Sequence, residues 1–505
     1  MVELLEHTAR VHGWSERSAY LANGLVFQHA EVYKRAGRAA AALAAQGVDR
    51  GSRVLIALPD GIDFVTVFLG AMWIGAVAIP ANVLLHPAEL ARAAEIAQPA
   101  VVVCESETAA VLTGHRVLAP ETLRDSEYAV PPFAACEPGS VGFALFTSGT
   151  TGDPRLCFHT HADPLVINQA AGAAIGAGPD DVCYSVSRMY FAYGLSNSLF
   201  FPLLRGAAAV LTTARADAPA ALATIAQHQV SVFYGQPSFY ARLLEADGHD
   251  QLGRLRVAVA GGEPLLPVLE RRLRVLLGDR LLNMYGTTEI GYAVTANGPG
   301  QIVEGTVGRV MAPYRVRVVD DDDAQVLPGD EGRLQVCGPT ISPGVERGDE
   351  QPRRLGADEW YTTGDAAVID GEGVVRVLGR ADDIEIVGGA NVHPGEIEDL
   401  LSTHPAVSEV AVCSVWRREG VSTLRAYVVV KDSWNDARAD VADARKHEAY
   451  EAVRRDLLDR AAAALTWYKV PEDVVFTAEL PRSGTGKLLR RTLRAMANSE
   501  GNRAQ

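Results

Sequence analysis

Residues 146–155 read FTSGTTGDPR, with three threonines, one serine and two glycines directly behind the apolar run Val141–Phe146. Glycines let successive backbone N–H groups turn toward one point. Serine and threonine hydroxyls add movable donors around it. Together they suit a polyanion, most simply a nucleotide phosphate. Taken alone, the stretch reads as well as a polar surface turn. The Gly-Lys-Ser/Thr ending of a P-loop is absent, since Asp153-Pro154-Arg155 follows Gly152, and no GxGxxG turn occurs here. Three other stretches add chemistry. VAVAGGEPL ends an apolar run in Gly261-Gly262-Glu263. NMYGTTEIGY sets an aromatic ring, a hydroxyl pair and a carboxylate in a row. YTTGD places Asp365 behind a turn. Between them they supply a purine platform, phosphate donors, a hard-oxygen ligand for a divalent ion and a ribose acceptor.

Lysine usage raises a separate question. Of 47 basic residues only Lys34, Lys431, Lys446, Lys469 and Lys487 are lysine. A chain that uses arginine almost everywhere keeps a lysine in PRSGTGKLLRR. An ammonium is a compact charge on a flexible stem, which a planar guanidinium cannot imitate.

The elements that must position these residues follow from pattern. SRVLIALP, PAVVVCE, AAAVLTT, VSVFYG and RVAVAGG are short apolar runs bounded by turn residues. Helical stretches such as the Ala-rich segment around 35–46 and PVLERRLRVLL lie between them, the pattern of parallel sheets covered by helices. After about residue 300, VRVVDDD, GRLQVCG and DAAVIDGEGVVRVLGR predict antiparallel hairpins. Charged residues at Arg380–Asp383 interrupt two apolar strands, and the main domain boundary is expected there. The uncharged stretch Phe64–Leu85 is expected to be a buried helix and a strand, because glycines and a proline interrupt it and its second half is β-branched.

Composition narrows the partners. A chain of 505 residues has room for two or more domains, and a formal charge of −15 disfavours nucleic acid or an anionic membrane surface. The six cysteines, at 104, 136, 157, 183, 337 and 413, form no CxxC pair. They are expected to be reduced thiols in a cytoplasmic protein. His159 and His161 invite a metal reading, but no third ligand stands at useful spacing.

In chain order, FTSGTTGDPR, YGTTE, YTTGD, GRADD and PRSGTGK resemble the adenylate-forming superfamily, which includes acyl- and aryl-CoA ligases, stand-alone adenylation enzymes and luciferases. The resemblance spans nearly the whole chain. FAYGLSNSLFFPLLRGAAAVL and GQPSFYARLL look like its benzoate–CoA ligase branch. The resemblance implies an α/β fold. A large N-terminal domain (1–380) of helix-covered sheets and a distorted β-barrel precedes a small mobile α+β domain (381–505). It implies ATP, Mg²⁺ and coenzyme A as cofactors. The acid would become an acyl-AMP with release of pyrophosphate, then a thioester of CoA or, alternatively, of a carrier protein's pantetheine. A non-catalytic nucleotide-binding protein and a P-loop kinase are the competing classes. The protein is expected to be a monomer or homodimer.

Residue roles come from the same resemblance. Thr147, Ser148, Gly149, Thr150, Thr151, Gly152 and Arg155 would hold the β- and γ-phosphates, Thr288 the α-phosphate, and Glu289 the magnesium. Tyr285, with Gly286 and Thr287 after it, would face the adenine, and Gly261, Gly262 and Glu263 would line its other side. Asp365 and Arg380 would take the ribose. Lys487 would be the catalytic lysine, Asp382 the hinge, and Gly388 and Gly389 part of the thiol tunnel. Tyr190, Phe191, Ala192, Tyr193, Gly194, Tyr234, Gly235, Gly291 and Tyr292, with Gly286, would form the acid pocket. Phe191 stands where amino-acid-activating relatives usually carry Asp, so an apolar ring-bearing acid is expected. The chain departs from the pattern at Arg155 (usually Lys), Leu156 (usually Gly) and Glu385, in a region where many relatives have Lys.

Overall fold

Short β-branched runs separated by amphipathic helices pair side by side, because each run is apolar on both faces and each helix covers one of them. The computed structural model describes residues 1–148, 154–214, 216–344, 353–356, 358–381, 385–387, 390–416, 422–431, 443–482, 488–490 and 492–496. Two sheets dominate. The first has six strands in the order Val117–Leu118, Val101–Cys104, Arg53–Ala57, Val77–Pro80, Val141–Ser148 and Pro154–Thr160. All its neighbours are parallel except the last pair, a hairpin.

The second sheet has 13 strands. Its parallel part runs Leu281–Gly286, Val257–Ala260, Val232–Gly235, Val182–Ser185, Ala208–Leu211 and Ser18–Ala22. Beyond Leu281–Gly286 the pairing turns antiparallel through Ala293–Asn297, Gly308–Val310, Val374–Arg380, Tyr361–Ile369, Glu331–Cys337 and Arg315–Val319. The expected hairpins therefore continue the parallel sheet in one hydrogen-bonded order. The uncharged stretch forms helix Ile62–Trp73, buried from Phe64 onward, then strand Val77–Pro80. Among the described residues no helix is long and apolar enough to cross a membrane. All six cysteines are free thiols, five of them buried.

The largest core lies between the sheets and holds Phe64, Phe68, Phe143, Phe200 and Tyr234. One polar tie crosses it. Asp60, in the turn after strand Arg53–Ala57, accepts the Met189 backbone N–H at 3.2 Å on both carboxylate oxygens. Arg188 stands 3.9 Å away and donates to the Thr212 carbonyl. Burial pushes the Asp60 carboxyl up to about 6, against the pull of Arg188 and the Met189 amide.

The last part of the chain forms a three-stranded sheet of Val407–Trp416, Ser422–Val430 and Asp473–Phe476, covered by helices Pro394–Ser402 and Asp443–Ala464. The latter helix begins inside the polar stretch 431–447. Buried Glu398 accepts both the Val412 N–H and the Arg490 guanidinium, the latter at 2.6 Å. Buried Glu385 accepts Arg494 at 2.7 Å. Arg482 pairs with Glu409 at 2.7 Å and bridges Leu488 in antiparallel fashion.

A carboxyl whose folded pKa is raised contributes stability below its unfolded pKa and loses that contribution as pH rises through the folded value. Asp60→Asn should therefore gain on wild type as pH rises from 4 to 8, by up to about 3 kcal/mol. Tm of both proteins at pH 4 and pH 8 checks this. An equal difference at both pH values would contradict the burial reading.

Candidate functional site

Thr147 and Ser148 end one strand of the first sheet, and Pro154 and Arg155 open the next. The register pairs Thr147 with Arg155 and Ser148 with Pro154. Gly149, Thr150, Thr151 and Gly152 lie outside the described residues. Leu156, where a glycine was expected by resemblance, is fully buried in the sheet's core beside Phe158 and Leu90. Its side chain fills volume there, so the departure is a packing choice.

The second sheet contributes the turn after strand Leu281–Gly286. Gly286 is pressed against the neighbouring strand, and a Cβ there would stand 1.8 Å from the Tyr292 carbonyl oxygen, so no side chain fits. Ile290 and Gly291 donate their N–H groups to the Thr287 carbonyl and close the turn. This holds Glu289 over the first sheet's hairpin, where the Thr147 hydroxyl donates to Glu289 Oε1 at 3.2 Å. The Thr287 hydroxyl is buried without a hydrogen-bond partner among the described residues.

Beside this turn, the Tyr285 hydroxyl donates to Asp365 Oδ2 at 2.5 Å. Burial first, then the Asp365 charge, pushes that hydroxyl well above its ordinary range, so it keeps its proton. Arg380 sits opposite Asp365 in register, 3.6 Å from its other oxygen, and donates to the Thr363 carbonyl at 3.0 Å. Gly261 packs against the Tyr193 ring, and Gly262 follows with φ +83°. Glu263 turns away and accepts the Ser238 N–H and hydroxyl at 3.0 and 3.1 Å, at the start of helix Pro237–Glu245.

Next to Gly261 the aromatic residues gather. Tyr193 stacks on Tyr292 at 5.6 Å and meets Tyr234 edge-on at 6.4 Å; Phe191 meets Tyr190 at 4.6 Å. Tyr234 is fully buried and backs this group. Ala192 and Gly194 lie in the short helix Ala192–Leu195, and a Cβ on Gly194 would strike the Arg188 carbonyl. Gly235 packs against the Tyr240 ring, on the far side of the strand from this group, while Gly291 covers the ring of His159. Lys487, Asp382, Gly388 and Gly389 lie outside the described residues.

Sequence reasoning missed several groups. Asp60 holds the loop carrying Tyr190 and Phe191, although nothing in LPDGID marks it. Asn197 accepts the Tyr292 hydroxyl at 2.7 Å. His159 binds protein groups: its ring faces Asp163 at 3.1 Å and the Thr288 carbonyl at 3.0 Å. The run HTHAD carries that signal, with Asp163 four residues after His159. Among the described residues no group of three His, Cys, Asp or Glu could hold a metal ion.

Residues 5–345 match the family described as AMP-binding enzyme, and residues 396–487 match its C-terminal domain. A p-hydroxybenzoic acid–AMP ligase, FadD22, of Mycobacterium tuberculosis is 36% identical over 496 residues, covering 97% of this chain and 68% of that protein. A benzoate–CoA ligase of Thauera aromatica is 32% identical over 504 residues, covering 96% and 93%. Among solved structures, a benzoate CoA ligase from Burkholderia xenovorans superposes with a TM-score of 0.86 at 28% identity, over 98% of this chain and 99% of that one. The anthranilate CoA ligase AuaEII, in complex with anthranoyl-AMP, gives 0.89 at 26%, over 99% and 98%. The chain belongs to the AMP-binding enzymes of the adenylate-forming superfamily, on the branch that holds the benzoate–CoA ligases.

Proposed function

We propose that this enzyme joins an aromatic or cyclic carboxylic acid to AMP, using ATP and releasing pyrophosphate, and then passes the acyl group to the thiol of coenzyme A. The observation that carries the reading is the meeting of two pairs at one turn: Thr147 on Glu289, and Tyr285 on Asp365 opposite Arg380. A triphosphate and a ribose need these groups side by side.

A carboxylate is anionic and its oxide is a poor leaving group. Its attack on the α-phosphorus of ATP brings two negative reactants together. The site must supply positive charge and hold them in line. Thr147, Ser148, Gly149, Thr150, Thr151, Gly152 and Arg155 take the β- and γ-phosphates, and Thr288 takes the α-phosphate. Asp365 and Arg380 hold the ribose, and the Tyr285 ring faces the adenine. Hard oxygen donors and a buried, unpartnered Thr287 hydroxyl suit a divalent cation among phosphates. Glu289 would hold magnesium, which when bound supplies neutralising charge at the phosphates. Lys487 brings its ammonium between the attacking carboxylate and the α-phosphate. For the thioester step residues 381–505 turn about Asp382 relative to residues 1–380, and the thiol enters past Gly388 and Gly389.

Tyr190, Phe191, Tyr193 and Tyr292 offer the acid an aromatic wall. One carboxylate that reaches their loop, Asp60, is already taken by the Met189 N–H and Arg188. An α-ammonium would be left unpaired, a cost of several kcal/mol. Carrier-protein loading is the second reading. It is favoured by one observation, that a relative 36% identical is named as an acid–AMP ligase.

Pyrophosphate release across aromatic, alicyclic, aliphatic and α-amino acids, with and without CoA, tests the proposal. Ring-bearing acids should exceed α-amino acids by about 10²-fold or more in kcat/KM. Release with no acid of the panel would overturn the reading. Lys487→Ala should lower acyl-AMP formation by about 10²–10³-fold. Thioester formation from supplied acyl-AMP should change far less, and equal loss of both steps would contradict the role given to Lys487.

A further inference from the structure

Beneath the Thr287–Glu289 turn lies a buried chain of charge-assisted contacts that the roles above leave unused. His159 is fully buried and Asp163 nearly so. Asp163 accepts Arg354 through two guanidinium nitrogens, at 2.7 and 3.0 Å, and also the Thr160 N–H at 3.1 Å and hydroxyl at 2.6 Å. Burial alone would raise the Asp163 carboxyl, but the bonds from His159 and Arg354 outweigh it and hold it below the ordinary carboxylate range. His159 Nδ1 meets this carboxylate at 3.1 Å and Nε2 meets the Thr288 carbonyl oxygen at 3.0 Å. The Thr288 carbonyl oxygen can only accept, so His159 donates to it from Nε2. Arg354 also donates to the Pro339 carbonyl at 2.6 Å, which ties its own segment to the same point.

We infer that His159 is a positioning residue for adenylation: held by Asp163 and Arg354, it pulls on the Thr288 carbonyl and so aims Thr288 and Glu289 at the phosphates and their metal. The inference rests on the function proposed above. Three facts carry it. The carbonyl belongs to the residue just before Glu289. Gly291 leaves the His159 ring room, since a Cβ there would stand 3.2 Å from its Cε1. The Phe143 ring stacks on the imidazole at 5.2 Å and fixes its plane. The His159–Asp163 pair therefore has one orientation, and its outward end is a backbone atom of the phosphate-binding turn. Without the bond that carbonyl keeps only the Gly291 N–H, at 3.0 Å within the turn itself, and the turn can settle with Glu289 displaced from Thr147.

The test separates the two half-reactions in the full-length enzyme. His159→Ala should raise the KM for MgATP and the magnesium concentration for half-maximal rate by about tenfold or more, with the acid KM changed less than about twofold. The rate of thioester formation from supplied acyl-AMP, per folded molecule, should stay within about twofold. His159→Gln keeps an amide donor in reach of the Thr288 carbonyl and should recover most of the magnesium dependence. Arg354→Gln, whose guanidinium touches Asp163 and not His159 or Thr288, should shift the same parameters in the same direction by less. If His159→Ala lowers both half-reactions by one common factor, or leaves the MgATP and magnesium dependence untouched, the inference is overturned. If His159→Ala fails to fold, Arg354→Gln decides, and wild-type MgATP and magnesium dependence in it would overturn the inference. Absence of acid-dependent pyrophosphate release by wild type would instead sink the proposed function.

Discussion

The hydrogen bond from Thr147 to Glu289 joins two sheets that share no strand. One side belongs to the hairpin of the six-stranded sheet, the other to a turn of the 13-stranded sheet. That contact exists only while both sheets keep their relative placement. The hydrophobic core between them supplies most of the force, since area buried scales with stabilisation and this core is the largest in the protein. Force without direction would not suffice. Asp60 on the Met189 N–H and Asp163 on Arg354 add direction, because each is a buried carboxylate whose oxygens are already committed. Losing a partner would leave a charge in low dielectric, so the sheets are held in one register with each other.

Much of this was legible from residues. The alternation of apolar runs and helices gave away the parallel strands, and the Asp-Gly turns marked the antiparallel ones. FTSGTTGDPR, YGTTE and YTTGD told where donors and carboxylates gather, since their chemistry is concentrated in a few adjacent positions. What stayed hidden was contact between distant positions. Nothing in LPDGID says that Asp60 will meet a loop 129 residues away. Nothing near Arg354 says that it will face Asp163. Such pairs depend on how the layers stack, and sequence pattern carries only which face of an element is apolar.

The departures from the family pattern become physical once the contacts are known. Leu156 replaces backbone freedom with packed volume in the sheet core. Glu385 is buried with Arg494, so its charge belongs to an ion pair inside the last part of the chain. The uneven use of lysine has a parallel reading. Arginine serves the buried pairs here: at Asp163, Asp181 and Glu398 its planar fork meets both carboxylate oxygens, and at Glu270 two of its nitrogens share one.

The chain on either side of Lys487 is pinned. Arg482 is fastened to Glu409 and bridges Leu488, while Arg490 is fastened to Glu398. Glu409 belongs to the long strand of the last sheet and Glu398 to the helix that covers it, so residues 482 and 490 can be displaced only together with that strand and helix, as one rigid load.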